Sequence, residues 1–222
     1  MDVGQKSREE FSLIYFFMST CKQCRRAGEK LFLKGERCLL PTCAMVKKNY
    51  PPGQHGKKMV RRVSDYGMQL AVKQRIKRSY GIKEKQLKNY FGKVKDKTGD
   101  IGKLLLQKLE MRMDNIVYRS GLADSRRQAR QMVTHGFFSI RGHNVNIPSY
   151  ECKVGEAIKI KESKLKKVYI EEKIKNISKK ESNIDWVLFD SQEAVIKVIG
   201  IPGHRETGES GNVQMVIEYY SR

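Results

Sequence analysis

The 222-residue sequence predicts an α+β fold in two parts: an N-terminal helical domain that contains a cysteine cluster, and a smaller domain of one helix and a curled sheet. Three observations predict it. Four of the five cysteines lie between residues 21 and 43, apolar residues recur at helical spacing from about 63 to 117, and short β-branched stretches separated by turns follow Gly136. We place the two domains at 21–110 and 111–205. Residues 1–20 form an atypical extension, and 206–222 form a C-terminal segment expected to pack back on the first domain.

The cysteines form two close pairs, Cys21 with Cys24 and Cys38 with Cys43, separated by a loop. Two such pairs can bring four thiolates to one tetrahedral centre, and zinc is the predicted occupant. An iron–sulfur cluster takes the same number of ligands and is the less favoured alternative. Four thiolates leave no open position for a substrate, so the predicted site is structural. Cys152 stands apart and is predicted to be an ordinary buried residue.

The first domain should begin with a loop-rich segment, because glycines and prolines interrupt residues 21–56. Helices with apolar stripes and basic outer faces should follow. Ser64 or Asp65 is the predicted cap of the first of them, and Gly81 its end. Tyr66 is expected to pack into the core of this domain.

The second domain should open with a short helix over "ADSRRQARQMVTHG", capped by Asp124 or Ser125 and stopped by Gly136. The stretches "FFSIRGHNVNI", "EAIKIK", "WVLFD" and "EAVIKVIG" are predicted strands, and "KLKKVYIEEKIKNISKK" a predicted helix. The final stretch "VQMVIEYYSR" is ambiguous between helix and strand. Residues 1–20 are aromatic-rich with few capping signals, and we expect weak order there.

The charge of the chain indicates a polyanionic partner. Lysine and arginine number 45 against 24 acidic residues, which gives a net charge of +21. This charge is spread along most of the chain, which favours nucleic acid over a membrane surface. No apolar run approaches the roughly 20 residues that would cross a bilayer. We expect a reducing, cytoplasmic location, no membrane partner and no homo-oligomer.

Several stretches, in order along the chain, carry a family resemblance: the cysteine pairs, "YPPGQHG", "RRVSDYGMQLAVKQRIKRSYGI", "SGLADSRRQARQMVTHG", "VNIPSY" and the terminal "EYYSR". The chain resembles the bacterial-type ribosomal small-subunit protein four family, in its cysteine-containing branch. Residues from about Arg112 to Lys173 also resemble the small RNA-binding domain named after that family. The likeness departs before the first cysteine, where this chain has twenty unmatched residues, and Met18 is a candidate start.

The resemblance implies a structural protein bound to small-subunit ribosomal RNA. Members of the family organise a multi-helix RNA junction, help to nucleate assembly, and lie beside ribosomal protein five near the place where messenger RNA enters, contributing to translational accuracy. Some members lack the cysteines, so the metal would stabilise this branch without being essential to function. The alternative is an RNA chaperone or translational repressor outside the ribosome. An enzyme is not predicted, because no lysine-bearing phosphate loop or zinc-protease helix pair is present.

RNA contacts are predicted mainly on basic residues that flank the cysteines, the first long helix and the helix capped by Ser125. In that helix Arg126 and Arg130 share a face with Arg127 beside them, and guanidinium groups suit phosphates because they donate paired hydrogen bonds. The predicted RNA-binding residues are Arg25, Arg26, Lys34, Tyr50, Gln54, His55, Lys57, Lys58, Arg61, Arg62, Lys73, Lys77, Arg78, Lys83, Lys85, Arg119, Ser125, Arg126, Arg127, Arg130, His135, Arg141, Asn144 and Asn146.

Overall fold

The computed structural model describes residues 20–58, 62–177, 184–203 and 213–221. The helices are α1 (residues 20–27), α2 (Ala44–Lys47), α3 (Asp65–Ser79), α4 (Glu84–Val94), α5 (Ile101–Glu110), α6 (Met113–Arg119), α7 (Arg126–Thr134), α8 (Glu162–Leu165), α9 (Val168–Ile177) and α10 (Val213–Ser221), with a 3-10 turn at Gly35–Cys38. The strands are β1 (Phe138–Ile140), β2 (His143–Val145), β3 (Ala157–Ile160), β4 (Val187–Asp190) and β5 (Val195–Val198). Most of the predicted extension, residues 1–19, lies outside the described residues.

The cysteine-containing segment is built from α1, the 3-10 turn and α2, with extended chain between them. Its small core contains two of the cysteines beside Leu31, Leu33 and Met45. Few apolar side chains are available here, so burial alone provides little stabilisation. The prediction that glycines and prolines prevent long helices in this segment is confirmed.

Helices α3, α4, α5 and α10 form a second cluster around Ile76, Leu87, Leu105 and Leu109, all fully buried. Ser64 caps α3 as predicted, because its hydroxyl accepts the backbone N–H of Gly67. The chain turns after α3 at Gly81, whose φ of +63° lies in the left-handed region that favours glycine.

Within the terminal segment, Val213–Ser221 form helix α10, which closes this cluster. Gln69 of α3 donates to Glu218 at 2.9 Å, and the Tyr220 hydroxyl donates to Glu84 at 2.8 Å. The Tyr220 ring also stacks on Phe91, with centroids 5.1 Å apart. Residues that are far apart in the sequence therefore share one core.

One expectation for α3 is wrong. Tyr66 is 49% exposed and contacts Tyr219 of α10 at the surface of the cluster, with ring centroids 5.7 Å apart. The inner face of α3 instead buries Gln69 and Lys73. These polar residues are tolerated inside because the carboxylates of Glu218 and Glu84 accept hydrogen bonds from them.

The second domain is a five-stranded antiparallel sheet with strand order β2-β1-β3-β5-β4, packed against α6, α7 and α9. Its core contains Phe138, Ile158, Ile160 and Ile196, all fully buried, together with Trp186. The four predicted strand stretches are confirmed, and the predicted helix after β3 is present as α8 followed by α9. In the described part of the chain no helix is long and apolar enough to span a bilayer.

Candidate nucleic-acid interface

A groove of about 770 Å³ runs between the cysteine-containing segment and α7. One wall carries Lys34 and Arg37 from the turn before Cys38, and the other carries Arg127 and Arg130 from α7. The groove follows the whole of α7, which is about 14 Å long at the usual helical rise. Basic side chains from two distant parts of the sequence therefore face one concave surface.

A close backbone approach brings the two walls together. A Cβ atom at Gly35 would lie 2.6 Å from the Cβ of Asp124, and the φ of Gly35 is +60°, so a side chain is disfavoured there on both grounds. Arg127 ties the walls from the other side, donating to the Thr20 hydroxyl at 2.6 Å and to the Gln23 side chain at 3.3 Å. The groove is therefore a fixed feature of the fold.

Helix α7 has the N-terminal cap and the buried apolar face that its sequence predicts. Ser125 caps it by accepting the Gln128 N–H, and Ala129, Met132 and Val133 are buried against the sheet. Two acidic side chains also line the groove, and one lysine, Lys173, offsets part of their charge by pairing with Asp124 and lying 3.6 Å from Glu36. The basic side chains therefore dominate the charge of the groove.

Arg130 and His135 lie on the groove side of α7. The Arg130 side chain is 36% exposed and donates to the Gly81 carbonyl at 2.7 Å, so one edge of its guanidinium is held in place. His135 is exposed at the far end of the helix. Sequence reasoning missed other residues of the groove that can donate hydrogen bonds, among them Arg37, Gln128 and Gln131.

The four-residue spacing predicts that Arg126 and Arg130 share an outer cationic face, but Arg126 does not lie on that face. Its guanidinium lies over the rings of Tyr80 and Tyr118, at 4.6 and 4.8 Å, and donates to Asn115 at 2.7 Å. The Arg126 side chain is only 19% exposed. It is engaged inside the protein, at the contact between the two domains.

Glu110 explains why arginines turn inward here. This carboxylate is fully buried and accepts two hydrogen bonds from Arg119, at 2.7 and 2.9 Å, and one from the Tyr80 hydroxyl at 2.6 Å. Arg126 lies 3.7 Å away. Burial would raise the pKa of Glu110, but the hydrogen bonds and charge of Arg119, with the charge of Arg126, outweigh it and hold the pKa below its usual range.

A second buried ion pair adjoins this site. Arg112 is 1% exposed, forms two hydrogen bonds with Asp114 at 3.0 and 2.8 Å, and donates to the Tyr90 hydroxyl at 2.7 Å. Tyr90 belongs to α4 and Asp114 to α6, so the pair also connects the two domains. Neither arginine-centred contact was anticipated, although Arg119 follows Glu110 by nine residues and Asp114 follows Arg112 by two.

Around the "YPPGQHG" loop, Arg25 has a structural role. Its Nε donates to the Tyr50 carbonyl at 2.9 Å, and its guanidinium lies 4.6 Å from the Tyr50 ring centroid. The loop residues beyond it are exposed, as RNA-binding residues must be: Gln54, His55, Lys57 and Lys58. Arg61 lies outside the described residues, and Arg62 is exposed.

The predicted contacts on α3 are buried or half-buried, and those that follow the helix are exposed. Lys73 and Lys77 both bind Glu84, at 2.7 and 3.0 Å, and Lys73 is nearly fully buried. Arg78 differs, because burial and the nearby charge of Arg26 lower its pKa. Lys83 and Lys85, which follow α3, are exposed.

The β1–β2 hairpin presents the remaining predicted residues. Arg141 and Gly142 both have positive φ, +50° and +80°, and form the tight turn. Arg141, Asn144 and Asn146 are exposed beside it, and Arg141 lies 3.2 Å from Glu156. The turn therefore holds polar donors at the edge of the sheet.

All four clustered cysteines line one small cavity between α1, the 3-10 turn and α2. All are free thiols, and burial together with the neighbouring thiols raises the pKa of Cys24 and Cys38. As they stand, no three His, Cys, Asp or Glu side chains of the described residues are arranged to hold a metal ion. The sequence therefore correctly predicts that the pairs meet, while metal binding stays a prediction.

A basic groove on a fixed two-domain scaffold, with a helix-and-sheet domain on one side, defines the class of the protein as a binder of folded RNA. Two protein-family models match the chain. The family model "Ribosomal protein S4/S9 N-terminal domain" matches residues 17–110, and the "S4 domain" model matches 111–158.

Two curated relatives show how far the similarity extends. The small ribosomal subunit protein uS4 of Clostridioides difficile is 44% identical over 206 residues, covering 92% of this chain and 97% of that protein. The uS4 protein of Thermus thermophilus is 43% identical over 202 residues, covering 91% and 96%. The chain belongs to the uS4 family of small ribosomal subunit proteins.

Proposed function

We propose that the chain is a structural constituent of the small ribosomal subunit that binds ribosomal RNA along the groove between the cysteine-containing segment and α7. Its family consists of structural ribosomal proteins, not enzymes, that act in the cytoplasmic ribosome. The finer role is to organise an RNA junction during assembly. We also propose contacts with ribosomal protein five and with messenger RNA where it enters the subunit.

The groove itself is the observation that supports this function most directly. Structured RNA is recognised chiefly through its shape, phosphates and hydroxyls, so it requires basic groups at fixed positions on a rigid surface. Arg127 and Arg130 are both held by hydrogen bonds to the protein on one edge. Their positions are set before RNA arrives, which reduces the entropy lost on binding.

The test compares two double variants in binding to a transcript of the 5′ domain of small-subunit ribosomal RNA. Arg37→Gln with Arg130→Gln removes two groove charges, and Lys95→Gln with Lys97→Gln removes two exposed charges beyond α4. Each lost phosphate contact should lower the slope of log affinity against log salt by about 0.7 to 0.9. We expect that loss only for the groove variant.

Equal slopes for the two variants would contradict the assignment of the groove. Thermal unfolding of both variants controls for damage to the fold, because Arg130 also contacts Gly81. Sedimentation of the wild-type chain with small subunits in high salt separates a ribosomal constituent from an RNA chaperone outside the ribosome.

We propose further that the four cysteines bind one zinc ion that stabilises residues 20–58. Four thiols that face one cavity are a donor set suited to zinc, and the small apolar core of this segment provides little stability by itself. The thiols would lose their protons when they bind the zinc ion. The charge of the ion would then offset the repulsion between the thiolates that otherwise disfavours their ionised form. Zinc would supply no chemistry beyond holding the segment together.

Metal analysis and hydrogen exchange test the zinc site. We expect one zinc per wild-type chain, and none for Cys24→Ser with Cys38→Ser, which should lose protection in residues 20–58 while the second domain stays protected. Cys152→Ala is the matched control, because that thiol lies in the other core. A wild-type chain that is fully protected yet free of metal would overturn the proposal, and iron with sulfide would indicate the alternative cluster.

A further inference from the structure

Beyond the C-terminal end of α7, two lysines lie over one aromatic ring and a third lies beside the preceding glycine. The Nζ atoms of Lys164 and Lys167 lie 5.2 and 4.9 Å from the ring centroid of Phe137. The backbone N–H of Lys161 donates to the Phe137 carbonyl at 2.9 Å, and its Nζ lies 3.5 Å from a Cβ placed on Gly136. We call Lys161, Lys164 and Lys167 the lysine triad. Neither composition nor family resemblance singled out these residues.

The lysine triad carries positive charge, although Glu162 lies beside it in the sequence. In the described part of the chain, none of its ammonium groups is paired with a carboxylate, although thirteen ion pairs are present among those residues. Two cations near one ring centroid lie within roughly a Debye length at 0.1 M salt, which is about 10 Å, so they repel each other. The ring faces offset part of this repulsion through cation–π attraction. An anion bound there would relieve the rest.

The lysine triad is continuous with the groove. The groove ends at Thr134 and His135, and Gly136 and Phe137 follow directly in the chain. A strand of RNA that follows α7 in the groove would therefore leave it over the triad. Lysine suits such a place, because its ammonium on a flexible stem follows phosphates without demanding one geometry.

We propose that the RNA-binding surface extends past α7 onto the lysine triad, which binds backbone phosphates of the same RNA that occupies the groove. This inference rests on the proposed function. The charge of the triad and its continuity with the groove favour RNA phosphates over an acidic protein segment, which would have no reason to be aligned with α7.

The experiment uses the full chain and the 5′-domain transcript. The triple variant Lys161→Gln, Lys164→Gln, Lys167→Gln is compared with a matched control, Lys93→Gln, Lys95→Gln, Lys97→Gln, which removes three exposed lysines at the end of α4. The triad variant should lower the salt slope by about 2 to 3, at about 0.7 to 0.9 for each phosphate. The control should leave the slope unchanged. Acylation of lysine amines in the wild type should show the triad protected by RNA.

The outcomes separate the two proposals. A wild-type chain without preference for the transcript over heparin would overturn the proposed function itself. If the wild type binds the transcript but the triad variant keeps the wild-type slope, or its lysines stay reactive in the complex, the extension is wrong and the groove assignment stands. An equal loss of slope in the control variant would also overturn the extension, because it would show general charge attraction.

Discussion

Replacing Glu110 by glutamine should destabilise the contact between the two domains by about 3 to 5 kcal/mol, the usual result of removing one partner from a buried ion pair. The substitution leaves the Arg119 and Arg126 side chains, each only 19% exposed, without the carboxylate that they share. The new amide also points N–H donors at guanidinium groups that can only donate. The loss of stability therefore has two causes: two buried guanidinium groups lose their counter-charge, and one hydrogen-bond acceptor is lost.

Urea unfolding with two probes measures the effect. Fluorescence of Trp186, the one tryptophan of the sequence, reports the second domain, and far-ultraviolet circular dichroism reports mainly the helices. With a denaturant slope of about 2 to 3 kcal/mol/M, the midpoint should fall by about 1 to 2.5 M. Both probes should register the loss, because Glu110 lies between the two cores.

A matched control and a double variant refine the test. Glu171→Gln removes an exposed carboxylate of α9 and should change stability by less than about 0.5 kcal/mol. Combining Glu110→Gln with Arg119→Met removes both partners, so the combined loss should be smaller than the sum of the single losses. If Glu110→Gln shifts the midpoint no more than Glu171→Gln does, the buried ion pairs of Glu110 do not hold the domains together.

Two other substitutions test local features of the fold. Ser125→Ala removes the cap of α7 and should cost about 1 kcal/mol in urea unfolding, whereas Ser163→Ala on exposed α8 should be neutral; equal effects would refute the capping role. Burial would raise the pKa of Glu84, but hydrogen bonds from Lys73, Tyr220 and Lys77 lower it to about 2. Because the folded pKa lies below the unfolded value, this stabilisation is present above about pH 4.5 and disappears toward pH 2. The protection of α10 against hydrogen exchange, corrected for the intrinsic exchange rate at each pH, should therefore fall on acidification, and Glu84→Gln should remove most of that pH dependence.

The local parts of the fold were predictable because their signals are local. The Ser125 cap, the buried face of α7 and the Ser64 cap each depend on residues within one or two helical turns. The strands of the second domain have the alternation and turn residues that the structure uses. The meeting of the two cysteine pairs also follows from short sequence gaps.

The roles of individual basic residues were less predictable, because those roles depend on contacts that no periodicity reveals. Arg126 and Arg130 lie four residues apart on one helix and look equivalent in the sequence. Only Arg126, however, faces the buried carboxylate of Glu110. Lys73 resembles a surface lysine in sequence, but α10 covers it from far along the chain. A count of basic residues predicts the partner, while long-range packing decides which of them can touch it.

Helix α10 makes the helical domain dependent on a late step of synthesis. Its nine residues enclose Val216 within a core whose other helices were made before the entire second domain. Until translation has passed α10, that core stays open on one side and Lys73 lacks its aromatic cover. Only a polypeptide that includes α10 can close it, so a chain that stops before Val213 leaves the core of the helical domain incomplete.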